Sequence, residues 1–320
     1  MHTPYHPRVK LARPDLFHPR IVFASCAALP EGDSDDEGLV RALRERGLHV
    51  HWLAWDDPAT LDADLVVLRA TWDYTERITE FLAWTRAVRN LLNPPDMVAW
   101  NTDKHYLLDL ADDGLPIVPT HYFAADETVR VPAGEVVVKP AVGAGSVGAQ
   151  RFVDAQAALA HAARLQAEAR AVLVQPYDPR IAVGETALVF LNGAPSHAFT
   201  KGPILPPAGR GPEFEETGTF AAEKLGAADP ADEVWEVGHA AVAAATRRFG
   251  IAGGDLLYAR VDVIGGAEEP RLLELELVEP SLGFRQLAAA EKQRAERAYA
   301  VGVHTALQRL GLGPLSHRDH

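Results

Sequence analysis

Three glycines, Gly143, Gly145 and Gly148, sit in the stretch VVVKPAVGAGSVGAQRF, and their neighbours restrict the fold more than any other feature of the chain. A dinucleotide-binding fold needs such a loop to open straight into a helix whose N-terminus meets the pyrophosphate. Here AQRFV follows the glycines and reads as a strand, and helical sequence resumes only near Asp154. A Walker loop would close with Gly-Lys-Ser or Gly-Lys-Thr, whereas this one closes with Gly148, Ala149 and Gln150. The nucleophile elbow fails because Ala144 stands two residues before Ser146. A protein-kinase loop needs a later His-Arg-Asp segment, and His317 to Asp319 is followed by one residue only. What survives is a strand ending in Lys139 and Pro140, a glycine and serine loop, and a returning strand. Glycines let backbone NH groups approach phosphate oxygens, Ser146 adds a hydroxyl donor, and Lys139 supplies charge at the strand end. The competing reading is a flexible hairpin tip with a surface lysine.

At 320 residues, with 48% hydrophobic and 23% charged, the chain can bury more than one core. Lys and Arg number 31 against 44 Asp and Glu, a formal net charge of -13, which argues against a nucleic-acid partner. The single cysteine, Cys26, excludes internal disulfides and cysteine zinc clusters and fits a cytoplasmic protein. No run reaches the roughly 18 apolar residues of a membrane helix, and the proline-broken first ~19 residues read as a frayed lead-in.

From Ile21 onward, IVFASC, the helical LVRALRERG, VHWLAW, DLVVLRATW and the amphipathic ITEFLAWTRAVRNLL alternate as in an open, parallel α/β layer. Asn101 or Thr102 is then expected to cap a helix ending at Gly114, before an extended IVPTHYF. EVVVKP and AQRFVD flank the glycine loop, with the alanine-rich helix DAQAALAHAARLQAEARA behind them. VLVQPY opens a third section, in which ETALVFL and APSHAFT form a hairpin through Asn192 and Gly193. Residues 202–230 lack periodicity and read as a long mobile loop. A helix ADEVWEVGHAAVAAATRRFG, the strand pair DLLYARVDVIG and PRLLELELVE, and a helix from about Gln286 to Leu310 complete an α/β chain of three lobes, near 1–100, 101–170 and 171–320.

Lys-Pro before a glycine and serine loop, with an acidic strand pair near the C-terminus, resembles the ATP-grasp superfamily. The resemblance implies an N-terminal α/β lobe, a small central lid and a C-terminal lobe built on an antiparallel sheet. It also implies ATP as cofactor, with Lys104 in NTDKHYLLDL and Lys139 in VVVKP along the phosphates. Gln175, Pro176 and Tyr177 in VLVQPY look like the hinge that bonds adenine, and Glu185 sits where an acidic residue often meets the ribose. Arg260 and Asp262 in YARVDV, with Glu274 and Glu276 in LLELELVEPS, look like the catalytic arginine and metal ligands. Glu276 stands where the family usually has Asn. LRATWDYTERITEFLAW and LLNPPDMVAWNTDKHYL look more narrowly like ATP-grasp proteins related to glutathione synthetase and the D-cycloserine-forming ligase. A homodimer is a family-level expectation.

Strand alternation independently places Arg260 with Asp262, and Glu274 with Glu276, while Leu273, Leu275 and Leu277 point the other way. The turn IGGAEEP sets Asp262 opposite residue 273 or 274. The second register brings three carboxylates and the arginine onto one face, a set suited to Mg²⁺, with Mn²⁺ as a substitute. Otherwise the face is simply polar and solvated. Glu279, off the alternation before Pro280, reads either as a group behind the metal ligands or as a turn residue. His49, His51, His161 and His197 show no metal spacing and read as packing or surface residues. Lys201 either meets a phosphate or substrate carboxylate or is an ordinary surface lysine.

These features predict phosphoryl transfer from ATP to a substrate carboxylate and attack of an amine on the acyl phosphate, within or between molecules. The substrates would be small and amino-acid-like. Arg69, Trp72, Asp73 and Tyr74 are candidate contacts because they lie where a strand opens at the carboxyl edge of the sheet, and Arg285 is a further one. Packing at the lobe interface is the alternative for Trp72 and Tyr74. Two rival functions keep the nucleotide site: a small-molecule kinase, and a catalytically silent nucleotide-binding protein.

Overall fold

The computed structural model describes residues 18–203, 205, 208 and 224–313. The first 17 residues, the His-Arg-Asp tail and most of the 202–230 segment lie outside the described residues. Four strands, β1 (Ile21–Ser25), β2 (Val50–Ala54), β3 (Leu65–Ala70) and β4 (Leu91–Leu92), form a parallel sheet in the order β2-β1-β3-β4. All residues of β1 and β3 are buried, as expected for parallel strands covered on both faces. α1 (Glu37–Glu45) lays Leu39, Ala42 and Leu43 on this sheet, and α2 (Ile78–Ala87) presents Phe81 and Trp84. α2 is shorter than its sequence suggests, because Leu91 and Leu92 gain parallel partners in β3 and leave the helix.

The helix cap expected at Asn101 or Thr102 is not there. Both residues close α3 (Pro95–Thr102), and α4 (Tyr106–Asp112) starts separately behind His105. Asn101 is instead used as a surrogate strand: its amide donates to Leu275 O at 2.8 Å and its Oδ1 accepts from Leu277 N at 2.7 Å. Buried backbone groups must be paired, so an amide side chain serves where no strand continues the ladder.

The central sheet is antiparallel, with the order β5 (His121–Phe123), β8 (Val172–Pro176), β6 (Val136–Pro140), β7 (Gln150–Phe152). VLVQPY therefore pairs within this sheet rather than opening the next one. Asp154 caps α5 (Ala155–Ala167) by accepting from Gln156 N, and the helix packs Ala158, Ala162 and Leu165 against the strands.

The C-terminal sheet is also antiparallel: β11 (Leu225–Ala227), β10 (Ala194–Lys201), β9 (Glu185–Leu191), β12 (Tyr258–Ile264), β13 (Arg271–Glu276). Asn192 and Gly193 form the β9–β10 turn with φ of 55° and 71°, a pair of left-handed residues suited to the strand twist. β11, hidden in the aperiodic segment, is an edge strand on Phe199 to Lys201. α6 (Asp232–Arg248) covers one face of this sheet, and α7 (Ala289–Arg309) covers the other and also reaches the N-terminal sheet. Tyr299 of α7 meets Phe23 edge-on and stacks on Tyr258, each at 6.2 Å. No helix among the described residues is long and apolar enough to cross a membrane.

Asn93, fully buried, donates to Tyr258 O and Leu277 O and accepts from Leu257 N, tying the end of β4 to the C-terminal sheet. Asn93→Ala strands these backbone groups away from water and is expected to lower stability by about 3 kcal/mol, measured by urea unfolding.

Candidate active site

The central and C-terminal sheets, with the segments that follow β1 and β3, border one cleft of ≈ 530 Å³. Its roof is the glycine loop after β6, its floor the β12–β13 pair, and its far end the segments around Trp72 and Ser281. Gly145, Ser146 and Gly148 all have positive φ, of 57°, 62° and 79°, so the loop uses the left-handed region at three positions. Side chains hold its carbonyls. Lys104 Nζ donates to Gly143 O at 2.6 Å, Arg170 to Val142 O at 3.2 Å, and His161 bonds Gly148 O at 2.8 Å. Because Arg164 can only donate to His161 Nδ1, the ring is neutral and gives its Nε2 proton to Gly148. Burial moves its pKa down, in keeping with that state. His161 thus anchors the loop, a role that no spacing rule reveals.

The floor follows the second of the two registers open to the hairpin. Asp262 pairs with Glu274 and Arg260 with Glu276, and a bulge after Asp262 sets Val263 opposite Leu272. Asp262, fully buried, is held by Arg260 Nε and Nη2 at 2.9 Å each and by Lys201 Nζ at 2.9 Å. Lys201 also pairs with Glu185 at 3.3 Å, Arg260 with Glu276 at 2.5 Å, and Lys104 with Glu274 at 3.0 Å. Lys139, next to last in β6, lines the same cleft.

Burial and neighbouring charge compete at each group. Asp262 lies below the ordinary carboxylate range: burial would raise it, but Arg260 and Lys201 prevail. Glu274 is likewise held down against burial by Lys104 and Lys139. Burial pushes Glu276 up to about 7 despite Arg260, helped by Glu274 and Asp262. Although solvent reaches 29% of the Glu276 side chain, it does so only through the cleft, so burial still governs. Burial raises Glu185 against the pull of Lys201, and lowers Lys139.

Among the described residues, no three His, Cys, Asp or Glu side chains stand ready as a metal cage. Arg260, Lys201 and Lys104 occupy the carboxylates, while Lys139 and Arg285 also line the cleft. Glu274 and Glu276 both line the cleft, their side chains 24% and 29% exposed. As hard oxygen donors on the cleft floor they fit a divalent cation bound together with phosphate.

The hinge residues lie at the other end. Gln175 is buried, donates to Thr120 Oγ1 at 2.8 Å and lines the cleft with Tyr177. Tyr177 lies beneath Arg151, 3.5 Å from its ring centre, and Arg151 is itself clamped by Glu135. Pro176 lines a second pocket, which shares Tyr177 with the cleft.

Of the five candidate substrate contacts, Trp72, Tyr74 and Arg285 line the cleft, whereas Arg69 and Asp73 do not. Arg69 is buried on Asp36 through two bonds, of 3.0 and 2.9 Å, and donates to Pro280 O at 2.9 Å. Asp73 bonds Trp55 Nε1 and Arg77. Sequence reasoning missed Asp33, Ser34 and Asp35, which line the cleft beside Arg285. Ser34 accepts from Arg285 Nη1, and Asp35 accepts from Arg285 N, both at 2.8 Å. Only the folded chain brings these segments, about 250 residues apart, together.

A family model for the N-terminal domain of D-cycloserine synthetase DcsG matches residues 21–93. The cycloserine biosynthesis protein DcsG of Streptomyces lavendulae is 36% identical over 275 residues, covering 79% of this chain and 88% of that protein. The chain belongs to the D-cycloserine synthetase family of ATP-grasp ligases. The crystal structure of D-cycloserine synthetase DcsG, 32% identical, superposes with a TM-score of 0.78 over 91% of this chain and 99% of that one. Two more distant structures share the fold. D-alanine–D-alanine ligase from Bacillus anthracis complexed with ATP is 13% identical, with a TM-score of 0.57 over 91% and 98% of the two chains. The ATP-grasp ligase PsnB with minimal precursor, Mg and ADP is 18% identical, with a TM-score of 0.53 over 88% and 96%.

Glu279 makes a stability prediction. It is 7% exposed, lines the cleft, and its carboxyl has no hydrogen bond or ion pair among the described residues; burial, then Glu276, pushes its pKa up to about 8. Below its ordinary value of 4.5 the carboxyl is protonated in both folded and unfolded chains. As pH rises towards 8 the unfolded chain releases the proton first, so stability falls across that window. Glu279→Gln should therefore be more stable than the parent near pH 8, by roughly 2–4 kcal/mol, with the gap closing near pH 5. Thermal and urea unfolding at both pH values measure this.

Proposed function

We propose that this protein joins a carboxylate to an amine at the expense of ATP, through an acyl phosphate, and that the two groups belong to one amino-acid-like molecule. The observation that carries the reading is the β12–β13 register, which sets Arg260, Asp262, Glu274 and Glu276 on one floor beneath a glycine loop flanked by Lys104 and Lys139. Phosphoryl transfer of this kind is mainly positioning and charge neutralisation, and that floor contains the required groups without a protein nucleophile.

Lys139 and Lys104 would lie along the phosphates, with the backbone NH groups around Gly143, Gly145, Ser146 and Gly148 above them. Gln175, Pro176 and Tyr177 would border the adenine, with Glu185 and Lys201 towards the ribose and phosphates. Asp262, Glu274 and Glu276 would hold Mg²⁺, or Mn²⁺ in its place, and Arg260 would stabilise the oxyanion of the tetrahedral intermediate. When bound, the metal neutralises phosphate charge and aligns the transferred group. Lys104 must then leave Gly143 O or Glu274, so nucleotide entry and loop movement are coupled through one ammonium. A closed loop excludes the water that would hydrolyse an acyl phosphate. Trp72, Tyr74 and Arg285 would contact the substrate, while Arg69 and Asp73 would act through the backbone and through neighbouring residues.

The relative's name supplies the substrate class. D-cycloserine is a cyclic amide in which the carboxyl carbon of a D-serine skeleton is bonded to a nitrogen on its own side-chain oxygen. Opening that amide gives β-aminooxy-D-alanine, so D-serine derivatives with nitrogen on the side-chain oxygen are the substrates to test. The cytoplasm, where ATP is made and Cys26 stays reduced, is the proposed site of action.

With ATP, Mg²⁺ and such derivatives, ADP, free phosphate and a cyclic amide are expected in equal amounts by phosphate assay and mass spectrometry. A stable phosphorylated product would identify a kinase, and nucleotide binding without turnover of any derivative would identify a silent binder. Lys139→Ala should lower kcat/KM by on the order of 10²-fold or more, and EDTA should abolish turnover until Mg²⁺ is restored.

A further inference from the structure

Four consecutive carbonyls at the far end of the cleft are each held by a side chain from elsewhere. Val278 O accepts from Tyr258 Oη at 2.7 Å, Glu279 O from Trp72 Nε1 at 3.4 Å, Pro280 O from Arg69 Nη2 at 2.9 Å, and Ser281 O from Arg260 Nη1 at 3.1 Å. The segment is not a strand, for β13 ends at Glu276, yet its backbone is as firmly fixed as one. The side chain it carries into the cleft is Glu279, nine-tenths buried and unpartnered among the described residues.

A buried carboxylate without a partner is costly, and a fold that fixes the backbone on both sides of it leaves the side chain little room to escape to water. The charge around it does not balance. Asp33, Asp35, Glu185, Glu274, Glu276 and Glu279 line the cleft, with the fully buried Asp262 beside them, against Lys104, Lys139, Lys201, Arg260 and Arg285; Lys104, Lys201 and Arg260 each pair with one or more of Glu185, Asp262, Glu274 and Glu276. The missing positive charge lies at the end of the cleft away from the adenine hinge, where the aromatic residues Trp72 and Tyr74 also line the wall. Carboxylate and aromatic groups together form a site for an organic ammonium, which gains a charge-assisted hydrogen bond from one and attraction to the ring faces from the other.

We propose that Glu279 is the specificity residue for the substrate's free α-ammonium group, held in place by Trp72 and Arg69 through the backbone of residues 279 and 280. This rests on the reading of the cleft as the site of an amino-acid-like ligase substrate. Glu279 is three residues beyond Glu276, so an ammonium there lies beside the phosphoryl-transfer floor, where the carboxylate of the same small molecule must react. A substrate α-amine held on Glu279 is also kept from competing with the side-chain nitrogen as nucleophile.

The test uses the full chain with MgADP, titrated calorimetrically with D-cycloserine and with isoxazolidin-3-one, the same ring lacking the amine. The parent should prefer D-cycloserine by about tenfold or more, as expected for a hydrogen bond to a charged group. Glu279→Gln should bring the two affinities within about threefold and leave MgAMPPNP binding unchanged. This variant should melt no lower than the parent, so unfolding would not mimic the result. A parent that binds AMPPNP but shows no ammonium preference, or no D-cycloserine binding, overturns the inference and leaves the ligase reading standing. A Glu279→Gln chain that keeps the preference, or that changes only the Mg²⁺ requirement, also overturns it. A parent that binds no nucleotide overturns the ligase reading and this inference with it.

Discussion

Carboxylates crowded beneath one cleft repel one another, and taking them out of water makes each more costly to ionise. The β12–β13 hairpin places Asp262, Glu274 and Glu276 on one face, so their neutralisation is the condition on which the site rests. Arg260, Lys201 and Lys104 supply it, and each comes from a different part of the fold. Arg260 is two residues from Asp262 on the same strand, Lys201 ends β10, and Lys104 joins α3 to α4. The three cations also link the floor to the roof, because Lys104 touches both Glu274 and the glycine loop.

This arrangement makes the cleft a place where charge is held ready for exchange. A bound metal would compete with Arg260 and Lys104 for Glu276 and Glu274, and phosphate would compete with the same carboxylates for the lysines. Balance fails at the far end, where the Glu279 side chain has no ion pair among the described residues and burial outweighs the pull of Lys104, Arg69 and Arg260. Pinned carbonyls on either side prevent the chain from relieving that imbalance by turning the segment outward. The N-terminal sheet acts on chemistry at this point: Arg69 leaves β3 to hold the backbone of Pro280.

Much of this was legible in the order of residues. The strand after Gly148 excluded a dinucleotide loop, and β7 occupies Gln150–Phe152 as expected. Alternation and turn length left two registers open for β12–β13, and the fold takes the one that sets Asp262 opposite Glu274, with a bulge after Asp262; a one-residue slip would have reversed the faces. Less legible were short elements whose partners are distant. Leu91 and Leu92 read as helix until β3 paired with them, and Leu225–Ala227 read as loop until β10 did. Asn101 looked like a cap, since side-chain amides cap helices more often than they stand in for strands; its partners, Leu275 and Leu277, are about 175 residues away.

By itself, the sequence determined the local periodicities, the lid hairpin, the acidic strand face and the nucleotide chemistry they imply, because each depends on neighbours a few residues apart. Tertiary structure alone decided which charges meet. It assigned Arg69 to Asp36 and Pro280 rather than to the cleft, His161 to the loop carbonyl of Gly148, and Asp35 to the backbone of Arg285. It also left the Glu279 side chain buried without a partner among the described residues. An ion pair or an orphaned charge is a property of distances in space, and spacing along the chain carries no record of it once strands and helices from different lobes close on one cleft.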